Sequence, residues 1–283
     1  METEGGTVEA SLRGRIKLDD AHGDRVVIGD RVRLKRGKSA VTIEAVLPRE
    51  TWLVRRTLGG RRRKIVAANI DRLLVLVAAK DPPPSLLVVD RMLVMGESGG
   101  LDCVVVVTKQ DLVDRSEVEE LLGDYSTAGY AVFSTSTHPP VGLQQVRDVL
   151  CSGSSALVGP SGVGKSSLVN AIEPSVSLLT KDVGRRSRSG RHTTVSARLI
   201  RLECGGYVAD TPGFSDVGLG DVEPHTLPGC FPEFRPYLGQ CRFRDCTHLH
   251  EPGCVVRSAV DGEEISARRY RSYATILEEL TSG

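Results

Sequence analysis

Gly159-Pro160-Ser161-Gly162-Val163-Gly164-Lys165-Ser166 sets a lysine and a hydroxyl directly behind a glycine-rich run. The spacing fits G-x-x-x-x-G-K-[ST], the pattern of a phosphate-holding loop. Glycines let the backbone wrap close to phosphate oxygens, and the loop N–H groups and the following helix N-terminus face the negative charge. In such a loop Lys165 reaches the β- and γ-phosphates, Ser166 ligates magnesium, and Ser167 continues the same turn. A second constellation lies near the C-terminus, where Cys241, Cys246, His248 and Cys254 fall in C-x4-C-x-H-x5-C spacing. Three thiolates and one imidazole make a closed tetrahedral zinc site of the structural type. Glu251-Pro252-Gly253 supplies the turn that returns Cys254 to the others. Disulfides are the other reading of such cysteines. The chain shows no signal peptide and reads as cytosolic, which disfavours them. Cys230 and His250 are spare candidates, Cys230 reading as a buried or free thiol, while Cys103, Cys151 and Cys204 read as core.

The flanking elements suit the phosphate loop. Ser155–Val158 is a short apolar run that predicts a buried strand, Ser167–Ile172 continues as a helix, and Pro174 stops it. Upstream, Leu101–Val107 contains five apolar residues in succession from Cys103, the signature of a buried parallel strand. Thr108-Lys109-Gln110-Asp111 follows at its C-terminal end, where open α/β sheets bind ligands. It is similar to N-K-x-D, in which the aspartate accepts from the ring N–H and exocyclic amine of guanine. Asp111 would set that specificity, with the Lys109 stem against the base. Thr108 stands where Asn is usual, so an amide is lost and base binding is expected to be looser. T-K-x-D after a strand also reads as a helix cap; the phosphate loop downstream favours the nucleotide reading. Asp210-Thr211-Pro212-Gly213 follows the apolar run Tyr207–Ala209 and fits D-x-x-G, in which Asp210 holds magnesium through water and the Gly213 N–H senses the γ-phosphate. Between these motifs lies 181–194, rich in Arg, Ser and Gly, with Thr193 or Thr194 placed to close over magnesium. Its arginines read equally as a solvated loop or as contacts for RNA phosphate. The base reader precedes the phosphate loop, the reverse of the usual order, so the domain is expected to be circularly permuted.

Taken together, the chain resembles the ribosome small-subunit-dependent GTPase family RsgA, also called YjeQ. The resemblance rests on Gly29-Asp30, Thr108–Asp111, Gly159–Ser167, Gly190-Arg191-His192-Thr193-Thr194, Asp210–Phe214 and the C-terminal cysteines. It implies a permuted GTPase that uses GTP, GDP and Mg2+, acts in maturation of the small (30S) ribosomal subunit, and contacts that subunit and its rRNA. It also implies an N-terminal OB-fold. Ser134–Thr137 resembles the family's second base-contact loop, which makes Ser136 a candidate contact. Many GTPases use Gln after D-x-x-G to orient water; here Phe214 stands there. His192, beside Thr193, is then the candidate in cis, a loop histidine without a catalytic part being the other reading. Lys165 and Gly213 complete the expected catalytic set. The rival functions are a GTP-dependent RNA-binding switch with negligible hydrolysis and an RNA-binding factor with a vestigial nucleotide site; the intact Lys165 and Asp111 argue against the latter.

The elements that must position these groups form three expected domains. Residues 1–68 alternate short β-rich runs with charge, namely 8–12, 25–28, 30–34, 41–47 and 52–54, which suggests a small OB-like barrel. The strand expected before 8–17 is short or missing, leaving one edge open. Arg55-Arg56 and Arg61-Arg62-Arg63-Lys64 form a basic run that reads as a solvated face or a phosphate contact. Residues 69–220 carry strands over 73–79, 101–107, 131–133, 156–158, 197–202 and 207–209, the α/β P-loop domain. Residues 221–283 form a zinc-binding, partly helical module ending in a helix. Of 283 residues, 37 are basic and 36 acidic, so RNA binding has to rest on local patches. Apolar stretches are too short to span a membrane. A cytoplasmic monomer is expected.

Overall fold

A computed structural model of the chain describes residues 1–3, 6–12, 26–37, 40–56, 63–176, 198–210, 219 and 222–282. Its centre is a six-stranded sheet of β8 (Arg72–Ala78), β9 (Asp102–Thr108), β10 (Ala131–Ser134), β13 (Ser154–Val158), β14 (Arg198–Arg201) and β15 (Tyr207–Asp210) in the order β10-β9-β8-β13-β15-β14. All neighbours run parallel except β14, which pairs antiparallel with β15. Leu73 to Val77 and Val104 to Val107 are buried on both faces, as parallel strands covered by helices require. The crossovers are α1 (Leu86–Ser98), α2 (Arg115–Thr127) and α3 (Leu143–Cys151), while α4 (Lys165–Ile172) follows β13. Asp114 and Glu117 form a capping box that starts α2. Glu173 caps α4 immediately before Pro174.

The N-terminal part is thinner. β1 (Glu2–Thr3) and β2 (Gly6–Thr7) make a short hairpin; β3 (Ala10–Leu12), β4 (Val32–Arg36) and β5 (Val41–Val46) form one sheet; β6 (Trp52–Arg56) and β7 (Arg63–Ala68) form another. Among the described residues these sheets do not join into a closed barrel. Of the described part of the 25–28 run, residues 26–28, only Ile28 pairs, in a single bridge to Ala67, because the chain turns at Gly29. Of the basic run expected at the barrel's end, Arg55 and Arg56 end β6 and Arg63 and Lys64 open β7, while Arg61 and Arg62 lie outside the described residues. The short strand ahead of residue 8 is present as the β1–β2 hairpin, whose Glu2 carboxylate accepts from Arg201 at 3.0 Å and from the Tyr207 hydroxyl at 2.6 Å.

Gly29-Asp30 has a structural role. Gly29 sits at φ +83°, and a Cβ there would lie 1.8 Å from the Ala68 carbonyl. The Asp30 side chain is fully buried and takes two bonds from Arg49, at 2.7 and 2.9 Å. The motif thus closes the N-terminal sheets onto the strand that leads into β8.

β11 (Ser136–Thr137) and β12 (Pro140–Val141) form a small hairpin after β10, and α5 (Val255–Asp261) and α6 (Ala267–Ser282) cover the C-terminal part. Tyr273, Ile276 and Leu277 line the buried face of α6 at helical spacing. They join Phe231, Phe234 and Val256 in a core that includes Val94 of α1, so α1 is packed between sheet and C-terminal module. Charge fastens the same seam. Arg269, 1% exposed, donates to Asp90 at 2.6 Å and to Glu233 at 2.7 and 3.1 Å, its guanidinium lying 4.7 Å from the Phe231 ring centroid. Arg268 donates to Asp90 at 2.8 Å and also to Asp124 of α2. Burial alone would raise the Asp124 pKa, but the bonds from Arg268 and Ser266 outweigh it and hold the carboxyl below its ordinary value.

Two cysteines depart from expectation. Cys151 and Cys204 do not lie in the core; Cys204 is exposed, and the two are joined as a disulfide. Apolar neighbours in sequence cannot reveal such a bond, because it joins the end of α3 to the β14–β15 turn across a separation of 53 residues. Cys103 and Cys230 are buried thiols, as read, and burial raises the Cys230 thiol to about 12.

Candidate nucleotide site and metal centre

Thr108 ends β9, Ser134 ends β10, Gly159 follows β13 and Asp210 ends β15, so every described part of the expected nucleotide site lies along one carboxyl edge of the sheet. That edge is where open α/β sheets bind ligands. The phosphate loop leaves β13 at Gly159, whose φ is +155° and where a Cβ would come within 2.7 Å of the Leu76 carbonyl. Gly162 and Gly164 also have positive φ, and a Cβ on Gly164 would meet nothing within 4 Å, so the backbone is open at that position. Pro160, Ser161 and Val163 complete the loop, Val163 being buried, and Ser166 and Ser167 open α4.

Lys165 folds over this loop, donating to the carbonyls of Gly159 at 2.6 Å and Pro160 at 3.0 Å. Burial lowers its pKa from the ordinary lysine value. An ammonium held on a glycine-rich loop suits anionic oxygens, and bound phosphate would offset the cost of its burial.

The base reader is tied to that loop. The buried Thr108 hydroxyl donates to the Val163 carbonyl at 2.6 Å, clamping the end of β9 to the phosphate loop. The threonine in place of asparagine therefore keeps an anchoring bond between the two motifs. Lys109 adopts the left-handed conformation, and its ammonium donates to the Asp81 carbonyl. The Gln110 N–H donates to the Thr135 carbonyl at 3.1 Å. Asp111 is exposed, and one carboxylate oxygen accepts from the Ser136 hydroxyl at 2.6 Å. Ser136 is thus brought to the site as the residue that aims Asp111, a role that a search for backbone donors does not reveal. Its signal in the sequence is only a serine one loop beyond a strand.

Asp210 stands beside the phosphate-loop strand, since Ala209 pairs with Ala156. His192, Thr193, Thr194 and Gly213 lie outside the described residues.

The cysteine cluster is assembled in the C-terminal module. The donor atoms of Cys241, Cys246, His248 and Cys254 all lie within 4.8 Å of one another. His248 Nδ1 is 3.5 Å from Cys241 Sγ and 3.4 Å from Cys254 Sγ, and the two sulfurs are 3.9 Å apart. Metal bonds of about 2.0–2.3 Å imply tetrahedral edges of roughly 3.3–3.8 Å, so three sulfurs and one ring nitrogen at these spacings fit a single cation. Burial lowers the His248 pKa, which favours the neutral imidazole a metal requires. The knuckle is held from outside by the Glu251 carboxylate, which accepts from the Thr247 N–H and hydroxyl at 2.8 and 2.6 Å and from the Leu249 and His250 N–H groups at 3.2 Å. The Tyr270 and Tyr273 hydroxyls donate to the carbonyls of His248 and Thr247, fixing the knuckle on α6. Cys230 stays outside the cluster.

A phosphate loop, a guanine-type reader tied to it by Thr108 and a metal-type aspartate, strung along one parallel sheet with the reader first in sequence, define a circularly permuted P-loop GTPase. The RsgA GTPase family model matches residues 46–220. The small ribosomal subunit biogenesis GTPase RsgA of Gemmatimonas aurantiaca is 46% identical over 98% of this chain and 92% of its own length. Its counterpart in Thermotoga neapolitana is 38% identical over 99% and 91%. The crystal structure of YjeQ from Thermotoga maritima superposes with a TM-score of 0.81 at 35% identity, covering 99% of this chain and 92% of that one. The circularly permuted GTPase YloQ superposes at 0.71 and 28% identity, covering 96% and 86%. The chain belongs to the RsgA GTPase family, whose activity is GTP hydrolysis.

Proposed function

We propose that this GTPase binds the small (30S) ribosomal subunit, contacts its rRNA, and couples GTP hydrolysis to late subunit maturation and to its own release. The observation that carries the reading is the single sheet edge shared by Thr108, Asp111, Ser136, the phosphate loop and Asp210; relatives named for small-subunit biogenesis supply the partner. Asp111, aimed by Ser136, selects guanine. Lys165 neutralises charge building on the γ-phosphate, and the loop N–H groups hold the β-phosphate. Ser166 and Asp210 are the residues that would hold magnesium, which would supply positive charge against the phosphates, and Thr193 or Thr194 and the Gly213 N–H would sense the γ-phosphate. His192 orients the attacking water in place of the absent glutamine. The cation of the C-terminal cluster is zinc in a structural role, matching its sulfur-rich donor set. The protein works as a cytoplasmic monomer. Its units are an OB-like domain over 1–68, the GTPase domain over 69–220 and the zinc module over 221–283.

Phosphate release measured with and without purified small subunits tests this reading. Slow intrinsic turnover that rises strongly on subunits is expected. Binding that depends on GTP without stimulated release would favour the hydrolysis-independent switch instead. In a pelleting assay, equal subunit affinity of the GDP and non-hydrolysable GTP forms would remove the coupling.

A further inference from the structure

We infer that Cys151 and Cys204 form a reversible thiol–disulfide site that locks the β14–β15 hairpin onto α3, with low-molecular-weight disulfides and thiols as its exchange partners. The Cα atoms are 5.5 Å apart, within bonding reach. Contacts that do not involve sulfur impose that separation. A Cβ on Gly206 would come within 2.0 Å of the Leu150 carbonyl, so the hairpin turn is pressed directly on the end of α3. Tyr207 donates to the Gly153 carbonyl at 3.0 Å, and Ser154 pairs with Tyr207 in the sheet. The Glu203 N–H donates to the Glu173 carboxylate at the end of α4 at 3.1 Å, anchoring the turn a second time. The cysteines therefore stay adjacent whether bonded or not, and the bond can open and close without moving a strand.

The pair is set apart from the other cysteines. Cys103 and Cys230 are buried, and Cys241, Cys246 and Cys254 are gathered in the metal cluster. Cys204 is exposed at a turn, so its sulfur is the one a soluble reagent meets first. In oxidation the Cys204 thiolate attacks a small disulfide and expels one thiolate. The Cys151 thiolate then attacks the Cys204 sulfur of the mixed disulfide and expels the second. Two cysteine thiols have lost two protons and two electrons, and one small disulfide has become two thiols. Reduction runs the same exchange backwards.

The loop closed by the bond holds the whole phosphate loop and α4, and the far end of the hairpin carries Asp210. Oxidation thus staples the segment that houses the phosphate-binding machinery. β15 keeps its pairing with β13 in both states, so the bond changes hairpin stability and leaves nucleotide affinity alone.

The test uses the full-length, metal-loaded protein equilibrated with oxidised glutathione or with dithiothreitol. After oxidation, denaturation in chelator should leave five of the seven cysteines open to maleimide, and after reduction all seven. Peptide mapping should recover a 151–204 link. The oxidised form should melt about 5 °C or more above the reduced one, and β14 amides should exchange at least about tenfold more slowly, with GTP affinity equal within about twofold. The Cys151→Ser/Cys204→Ser double variant should match reduced protein and ignore the redox buffer. Seven open thiols after oxidation, a glutathione adduct on Cys204 without the 151–204 link, or identical melting and exchange of the two forms would each overturn the site.

Discussion

The two ligand-holding centres of this molecule are built in opposite ways. The Cys/His knuckle draws its four candidate metal donors from the short stretch between Cys241 and Cys254, and Glu251 within that stretch ties its loop. The nucleotide edge draws on Thr108, Ser136, the Gly159 loop and Asp210, brought together only by the register of a parallel sheet. A local site stands or falls with its cation, whereas an assembled site survives the loss of one group with a graded loss of function.

The sharpest way to break the comparison is at the knuckle. Cys246→Ser should lose the metal and unfold the C-terminal module, because binding of a structural zinc is worth about 10–16 kcal/mol of folding free energy at neutral pH. Elemental analysis and a separate low-temperature melting step would show it; a metal-free variant that melts like the parent would remove the structural role.

At the assembled site the effects should be smaller and confined to function. Lys165→Ala should cut subunit-stimulated turnover by about a hundredfold or more, comparable to losing a principal donor to transition-state charge, while the melting temperature stays close to the parent's. Normal phosphate release by this variant would refute the loop assignment. Asp111→Asn should weaken GTP by about 1.5–3 kcal/mol, the worth of a hydrogen bond to a charged group, and shift preference toward xanthine nucleotides. Titration showing unchanged GTP affinity would take Asp111 out of the base site. Ser136→Ala should weaken GTP by only about 0.5–1.5 kcal/mol if its hydroxyl, which donates to the Asp111 carboxylate, acts on the base only through that carboxylate. A loss larger than that of Asp111→Asn would give Ser136 a direct contact instead.

The smallest effect belongs where the two regions meet, at Arg268 and Asp124. The Asp124 pKa is depressed in the folded protein. Its contribution is present above the ordinary carboxylate value of 3.8 and is lost as pH falls from there through the folded value. Asp124→Asn should therefore cost about 1 kcal/mol or less at neutral pH, as partly exposed ion pairs do. It should also flatten part of the acid limb of the stability curve, measured by urea melts below pH 5. An unaltered acid limb would show that this contact carries no linkage.

Residue types and spacing determined a good deal. The G-x-x-x-x-G-K-S run, the apolar runs of β8, β9 and β13 and the C-x4-C-x-H-x5-C knuckle are local patterns, each decided within a dozen or so neighbours, and the reversed motif order follows from reading two of them along the chain. Strand limits missed by a residue or two, as at β8, because ends depend on pairing partners. The N-terminal strands were less legible, since short half-exposed runs such as Ala10–Leu12 carry little periodicity. Tertiary structure alone decided that Thr108 clamps the Val163 carbonyl and that Ser136 aims Asp111. It also made Gly29-Asp30 a joint between sheets, buried Arg269 between Asp90 and Glu233, and bonded Cys151 to Cys204. Each of these contacts joins residues on different elements, and which side chains meet there follows from register and packing across the sheet, which no local pattern encodes.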